Sequence, residues 1–258
     1  MRSLGVGLGQ SSKLLIQTHK QAAVSTGVRT HAVGFGQKAA KDVKVKDTPV
    51  VDKLEWERPL QIVKYPDPRL RAVNARINCF DDSLVQLAKE MIEIMYQDDG
   101  VGLAAPQVGV NVRLMVFNPY GSEKPGNESI LVNPEVVESS RIKGTGEEGC
   151  LSFPKIYGEV ERPRDVVVHA QNEKGEPISL NLGGSDINQA WISRIFQHEY
   201  DHLQGVLFHD RMRPNVLESN RKQLVALEEA FISSNPGVPV KRIPPPKAAK
   251  GFGAMAKR

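Results

Sequence analysis

Two histidines four residues apart, with a glutamate beside the first, stand in His198-Glu199-Tyr200-Asp201-His202. On a helix, positions i and i+4 share a face, so both imidazoles reach one metal ion. Glu199 then lies next to the first ligand. A carboxylate there can take a proton from water and deliver it to a leaving group. This is the H-E-x-x-H arrangement of metal-assisted hydrolysis. The bland alternative is a surface helix with a chance spacing. Against it, Trp191, Ile195, His198 and His202 fall on one stripe, so the histidines continue an apolar face.

A catalytic site of this type usually has three protein ligands and one open position. His19 and His31 lie in the region expected to be a transit extension, and His209 falls one residue late for a longer H-E-x-x-H-x-x-G-x-x-H pattern, where position 208 is Phe. Glu218, Glu228 and Glu229 offer carboxylates, but on a predicted helix they read as solvated charge. Cys150 is the better candidate. It sits in Glu147-Glu148-Gly149-Cys150-Leu151-Ser152-Phe153-Pro154, where the preceding glycine permits close backbone approach. A metal would hold its sulfur as thiolate, and a Cys/His/His set suits iron(II), zinc, cobalt or nickel.

A third stretch is Gly100-Val101-Gly102-Leu103-Ala104-Ala105-Pro106-Gln107. Its small residues let a substrate backbone lie close along the chain. Gln107 offers an amide N–H to a developing oxyanion. By itself such a glycine pattern also fits a tight helix-to-strand turn.

These residues need elements to position them. Asp81, Asp82 and Ser83 are N-cap candidates for a helix with Leu84, Leu87, Ala88, Met91, Ile92 and Met95 on one face, ended by Gly100 and Gly102. Strands are predicted over 112–117, 130–133, 166–170 and 178–182. The metal helix is predicted over 187–203 and a C-terminal helix over 215–233. The mixed order implies α+β. Order is expected to begin near Leu54, and the proline-rich tail from Asn235 is expected to be neither helical nor packed.

Charge divides the 258-residue chain into three parts. Residues 1–41 and 235–258 contain no acids and carry six bases each, which turns the overall +4 into a net −8 for residues 42–234. The acid-poor N-terminus lacks an apolar h-region and matches an organellar transit peptide better than a secretory signal. The domain expectation is therefore a transit or flexible extension over 1–50, a catalytic domain over 51–234 and a flexible basic tail over 235–258. No apolar run approaches the roughly 18 residues of a membrane span. Two cysteines, Cys79 and Cys150, are too few for a disulfide framework and imply a reducing compartment.

Stretches 100–107, 148–152 and 197–202 together resemble the three signature motifs of the peptide deformylases, in the family's order. The similarity runs from about Leu60 to Leu227. Tyr65-Pro66-Asp67-Pro68 and Leu151-Ser152-Phe153-Pro154 look like the bacterial-type and plastid-type branch, and Lys250-Gly251-Phe252-Gly253 is similar to plastid-type members. The resemblance implies antiparallel strands packed around a central metal-binding helix, with a C-terminal helix. It implies Cys150, His198 and His202 as ligands of one divalent ion, iron(II) or its replacement zinc. Glu199 would be general base and then general acid. The Gln107 side chain and the Leu151 backbone N–H would hold the oxyanion. Backbone groups of Val101, Gly102 and Gly149 would align the substrate like an added strand. Trp191 and Ile195 are expected in the wall of the methionine pocket. The substrate would be nascent formyl-methionyl chains, in a plastid or else a mitochondrion.

Two departures stand out. Lys155 occupies a position where plastid-type relatives tend to have glycine. The stretch 182–188, with Gly183-Gly184-Ser185-Asp186, looks longer than usual and is expected near the pocket rim. Two rival readings accompany the resemblance. One is a metalloprotease, disfavoured by the lack of a third His or Glu at protease spacing. The other is a ribosome- or RNA-binding protein using its basic tail; no feature points to DNA.

Overall fold

The computed structural model describes residues 45–245, so residues 1–44, most of the expected transit extension, and residues 246–258 lie outside it. Order begins before Leu54. A 3-10 turn at Val45–Asp47 leads into β1 (Val50–Val51), which pairs in parallel with β2 (Arg76–Ile77). α1 spans Asp82–Gln97. Its cap is Asp81, whose side chain accepts from the Ser83 N–H at 2.9 Å, satisfying one of the free donors of the first turn. Leu84, Leu87, Ala88, Met91 and Met95 are its buried stripe. It ends earlier than the glycines suggested. Asp99, not Gly100, takes the left-handed backbone that turns the chain out of the helix, with φ +54°.

Then follow β3 (Gly102–Ala104), β4 (Leu114–Phe117), β5 (Ser129–Ser139), β6 (Lys143–Cys150), β7 (Phe153–Pro163), β8 (Val166–Gln171) and β9 (Pro177–Leu182). Five of them form one antiparallel sheet in the order β3-β4-β5-β8-β9. Side chains alternate between its faces. Leu103, Leu114, Val116 and Val132 pack with the α1 stripe on one face. Ala104, Met115, Phe117, Leu131, Val166 and Val168 point to the other, against α2 (Ile187–Leu203). α2 starts where Asp186 accepts from the N–H groups of Asn188 and Gln189, and every residue from Ile195 to Leu203 is buried.

β6 and β7 form a separate hairpin, which the sequence reading lacked. Its inner side packs Phe153, Ile156 and Val160 against the short α3 (Phe208–Arg211) and the long α4 (Pro214–Ser234) through Phe208, Met212 and Leu224. The chain is thus mixed α and β, with antiparallel sheets and a C-terminal helix. Among the described residues, no helix is long and apolar enough to cross a membrane.

Two tail and helix expectations need correction. Residues 236–245 are non-helical, as their prolines require, and mostly exposed, but the segment is anchored at Ile243. Ile243 is buried against α4, and the Pro244 carbonyl accepts from Arg221 at 2.7 Å. The partner that draws them in is Glu228, which is 1% exposed and not a solvated charge. Its carboxylate accepts from Tyr65 Oη (2.6 Å), Arg242 Nε (2.8 Å) and the Ile243 N–H (2.6 Å). Residues 182–188 join the end of β9 to the first turn of α2, with 185–188 exposed, and none of them lines the cleft. Gly183 has φ +119° and lies so close to the Arg164 carbonyl that a Cβ would stand 2.3 Å from it.

Candidate active site

The cleft lies between β3 and the β6–β7 hairpin, with α2 as its floor. Its volume is about 740 Å³. Cys150 ends β6, while His198 and His202 project from α2 one turn apart. One donor atom from each lies within 4.8 Å of the others, and the Cys150 Sγ to His202 Nε2 distance is 3.3 Å. His209 is not in this group. It sits on α3 with its ring against Tyr65 and Phe153, which removes the third histidine of the protease reading.

The imidazoles are held from behind. His198 Nδ1 is 2.9 Å from Glu148 Oε2, so its N–H faces the carboxylate and Nε2 is left for the cleft. Glu148 receives Arg162 through two bonds of 2.6 and 2.8 Å and Arg194 through one of 2.7 Å. Arg162 also reaches Asp201 Oδ2 at 2.8 Å. Burial alone would raise the Glu148 carboxyl; the Arg162 and His198 contacts instead hold it well below the usual carboxylate range. At the end of α2, Asn74 Nδ2 donates to the His202 and Leu203 carbonyls, both at 3.2 Å, and the buried Arg113 donates to Leu203. These bonds fix the turn that carries His202.

The donor set fits a metal cation. Burial, then the nearby charges of His198 and Arg162, push His202 well below the usual imidazole range, so it stays neutral and able to ligate. For His198, burial opposes protonation, but Cys150 and Glu148 outweigh it and raise the group well above that range. Soft sulfur with two imidazoles is the chemistry of a transition-metal site.

Glu199 is buried beside this group. Burial raises its carboxyl to about 7, against the pull of His198 and Arg162. Its Oε2 has no hydrogen-bond partner among the described residues. It packs on Gly102, where a Cβ would stand 2.5 Å from Oε1. Gln107 Oε1 accepts from the Ala104 N–H at 2.8 Å, which fixes the amide plane. Its Nε2 is thereby aimed at Cys150 Sγ and Ser152 Oγ, at 3.5 and 3.4 Å. Leu151 forms the turn after Cys150, and Lys64 Nζ holds its carbonyl at 2.8 Å.

Val101, Gly102, Gly149, Trp191 and Ile195 all line the cleft. β3 is an edge strand of its sheet and β6 is paired only with β7, so two strand edges border the space. The Val101 carbonyl already accepts from the Asn118 N–H at 2.8 Å. By the alternation of an antiparallel ladder, the peptide groups of Gly102 face the open edge instead. Ile195 is buried and Trp191 is 41% exposed at the mouth. The residues missed in the sequence are the charged ones behind the histidines: Glu148, Arg162, Arg194 and Asp201. Glu148 and Asp201 lay within the motif stretches and offered a signal. Arg162 lay in a strand that was not predicted.

With this geometry in place, comparison with known proteins gives one answer. Residues 59–218 match the family model for polypeptide deformylases. A chloroplastic peptide deformylase 1B of Oryza sativa subsp. japonica is 50% identical over 203 residues, covering 78% of this chain and 73% of that protein. The chloroplastic/mitochondrial peptide deformylase 1B of Arabidopsis thaliana is 43% identical over 256 residues, 97% of this chain and 89% of that protein. Among solved structures, a plant peptide deformylase 1B aligns with TM-score 0.69 and 49% identity, covering 74% of this chain and all of the other. The chain belongs to the polypeptide deformylase family, and it is a peptide deformylase by activity class: a hydrolase of the N-terminal formyl group.

Proposed function

We propose that deformylation in this chain runs through Cys150, His198 and His202 as ligands of one divalent ion, iron(II) natively or zinc(II) in its place, carried on a central metal-binding helix, α2. The observation that supports this reading is the convergence of one thiol and two imidazoles within 4.8 Å, beside a buried carboxyl with an unbonded oxygen. When bound there, such an ion supplies Lewis-acid polarisation and makes water acidic enough to act near neutral pH.

The chain's residues do the rest. The peptide backbone adds to the open edges at Gly102 and Gly149, with Val101 beside it. The methionine side chain enters the apolar end, walled by Ile195 and Trp191. Glu199 takes a proton from the attacking water. A C–O bond forms at the formyl carbon, and its oxygen gains charge opposite Gln107 Nε2 and the Leu151 N–H. As the C–N bond breaks, Glu199 passes the proton to the departing amine. Formate and a free methionine N-terminus result. Glu199→Gln keeps the shape of the site but cannot carry the proton. It is expected to retain metal and lose about 10²–10⁴-fold in kcat. Near-normal turnover in that variant would remove Glu199 from the role.

The substrates are nascent formyl-methionyl chains in an organelle, a plastid with the mitochondrion as alternative, in keeping with the chloroplastic and mitochondrial names of the relatives. The targeting extension ends before the 3-10 turn at Val45–Asp47, and the catalytic domain runs on through the strap that docks Ile243 on α4. The acid-free C-terminal end is assigned to ribosome association. A ribosome pull-down that weakens with salt and with removal of residues 246–258 tests that assignment.

A further inference from the structure

Lys155 lines the cleft and is exposed, on the wall that carries Cys150. It belongs to a bulge. Gly149 pairs with Tyr157 but Cys150 pairs with Phe153, so residues 154–156 are extra on β7. Within the bulge Lys155 has φ +59°, a conformation that favours glycine and costs a lysine about 1 kcal/mol. A side chain kept in such a conformation beside a substrate cleft is a candidate for use there.

The other cations of the cleft are engaged. Lys64 Nζ holds the Leu151 carbonyl and approaches Asp98 at 3.9 Å. Arg194 turns inward to Glu148, the Val160 carbonyl and the Gly144 carbonyl. Among the described residues, no carboxylate lies within ion-pair reach of Lys155. Of the acids that line the cleft, Glu148 is held by Arg162 and Arg194 and Glu199 is buried on α2; the others lie away from the bulge along the chain. Asp98 and Asp99 precede β3 on the opposite wall, and Glu147 pairs with Glu159 farther along the hairpin.

In an extended peptide, successive side chains point to opposite sides. With methionine directed into the apolar pocket, the next side chain points out toward the rim. We infer that Lys155 selects substrates by the charge of the residue immediately after formylmethionine, favouring an acidic side chain and disfavouring a basic one. This rests on the deformylase reading of the same cleft.

The test uses the full-length, metal-loaded chain with formyl-Met-Ala-Ser, formyl-Met-Asp-Ser and formyl-Met-Lys-Ser. The Asp peptide is expected to exceed the Lys peptide in kcat/KM by about two- to fivefold, the range of a partly exposed ion pair. The gap should shrink at high salt. Lys155→Gly should bring the ratio to about one, and Lys155→Glu should invert it. A wild-type ratio of one, or a ratio unchanged in Lys155→Gly, overturns the assignment. Equal turnover of all three peptides sinks only the role of Lys155. A metal-loaded chain that releases formate from none of them sinks the deformylase reading, and the inference with it.

Discussion

A carboxyl group that must accept and return a proton has to avoid both full solvation and a permanent bond. Glu199 is 4% exposed, its pKa is raised to about 7 by burial, and Oε2 has no partner among the described residues. Gly102 makes this possible, because any side chain there would collide with Oε1. Gly102→Ala is therefore expected to displace Glu199 and cut kcat at least as far as about 10²-fold, the lower end for loss of acid–base assistance. A steady-state assay beside a circular dichroism spectrum checks that the fold survives. Behind the histidines, Arg162 is buried between Glu148 and Asp201, with side chains 4% and 5% exposed. Arg162→Met strips buried Glu148 of its two-bond partner and leaves buried Asp201 with Arg211 alone. We expect a loss of about 3–5 kcal/mol in chemical denaturation. Metal affinity should drop about 10–100-fold, read by chelator competition. Retained affinity would mean that Glu148 positions His198 without help.

At the scale of elements, the three long helices were legible because their apolar residues repeat at helical spacing and two of them carry aspartate caps. α2 occupies the predicted span, Ile187–Leu203. The β6–β7 hairpin was not legible. β6 reads Lys-Gly-Thr-Gly-Glu-Glu-Gly-Cys, with three glycines and little β-branching, and only its pairing with β7 makes it a strand. β7 does alternate, with Ile156, Gly158, Val160 and Arg162 facing inward, but a charged residue at the end of the inward row conceals the pattern. The strap over α4 was hidden for a similar reason. Ile243 stands among prolines that suggest an unpacked tail, and the attracting group, Glu228, looks like ordinary helix charge. Truncation after residue 234 would strip Glu228 of Arg242 and the Ile243 N–H. It should lower thermal stability by about 1–3 kcal/mol, the cost of stranding a buried polar group. An unchanged Tm would show the strap to be ornamental.

The same region sets a pH dependence. His209 is buried against Tyr65 and Phe153, and burial, helped by Arg71, lowers its pKa from 6.5 to about 4. Below pH 6.5 the unfolded chain binds a proton that the folded chain refuses. Its contribution to stability is therefore complete above pH 6.5 and is lost as pH falls toward 4, by about 3 kcal/mol in all. Replacing His209 with Asn should flatten the Tm profile over that window relative to the native chain. Parallel profiles would show that other groups carry the acid sensitivity.

For the whole molecule, the architecture follows from where two edges are left open. The five-stranded sheet ends at β3, the hairpin ends at β6, and α2 crosses beneath both. That places two strand edges, one carboxyl, one thiol and two imidazoles around a single cleft of about 740 Å³. The three motifs, remote in sequence, pointed to Cys150, His198, His202 and Glu199 before any coordinates, and the fold brings these four side chains to one cleft. The cleft's edges and the charged support behind His198 needed the fold. The most direct test is formate release from formyl-Met-Ala-Ser by the anaerobically purified full-length chain, with bound metal quantified, beside Cys150→Ala. The account predicts one divalent ion per chain with rapid turnover in the native protein, and loss of both in the variant. Full turnover by folded Cys150→Ala, or by native chain stripped of metal, would contradict it.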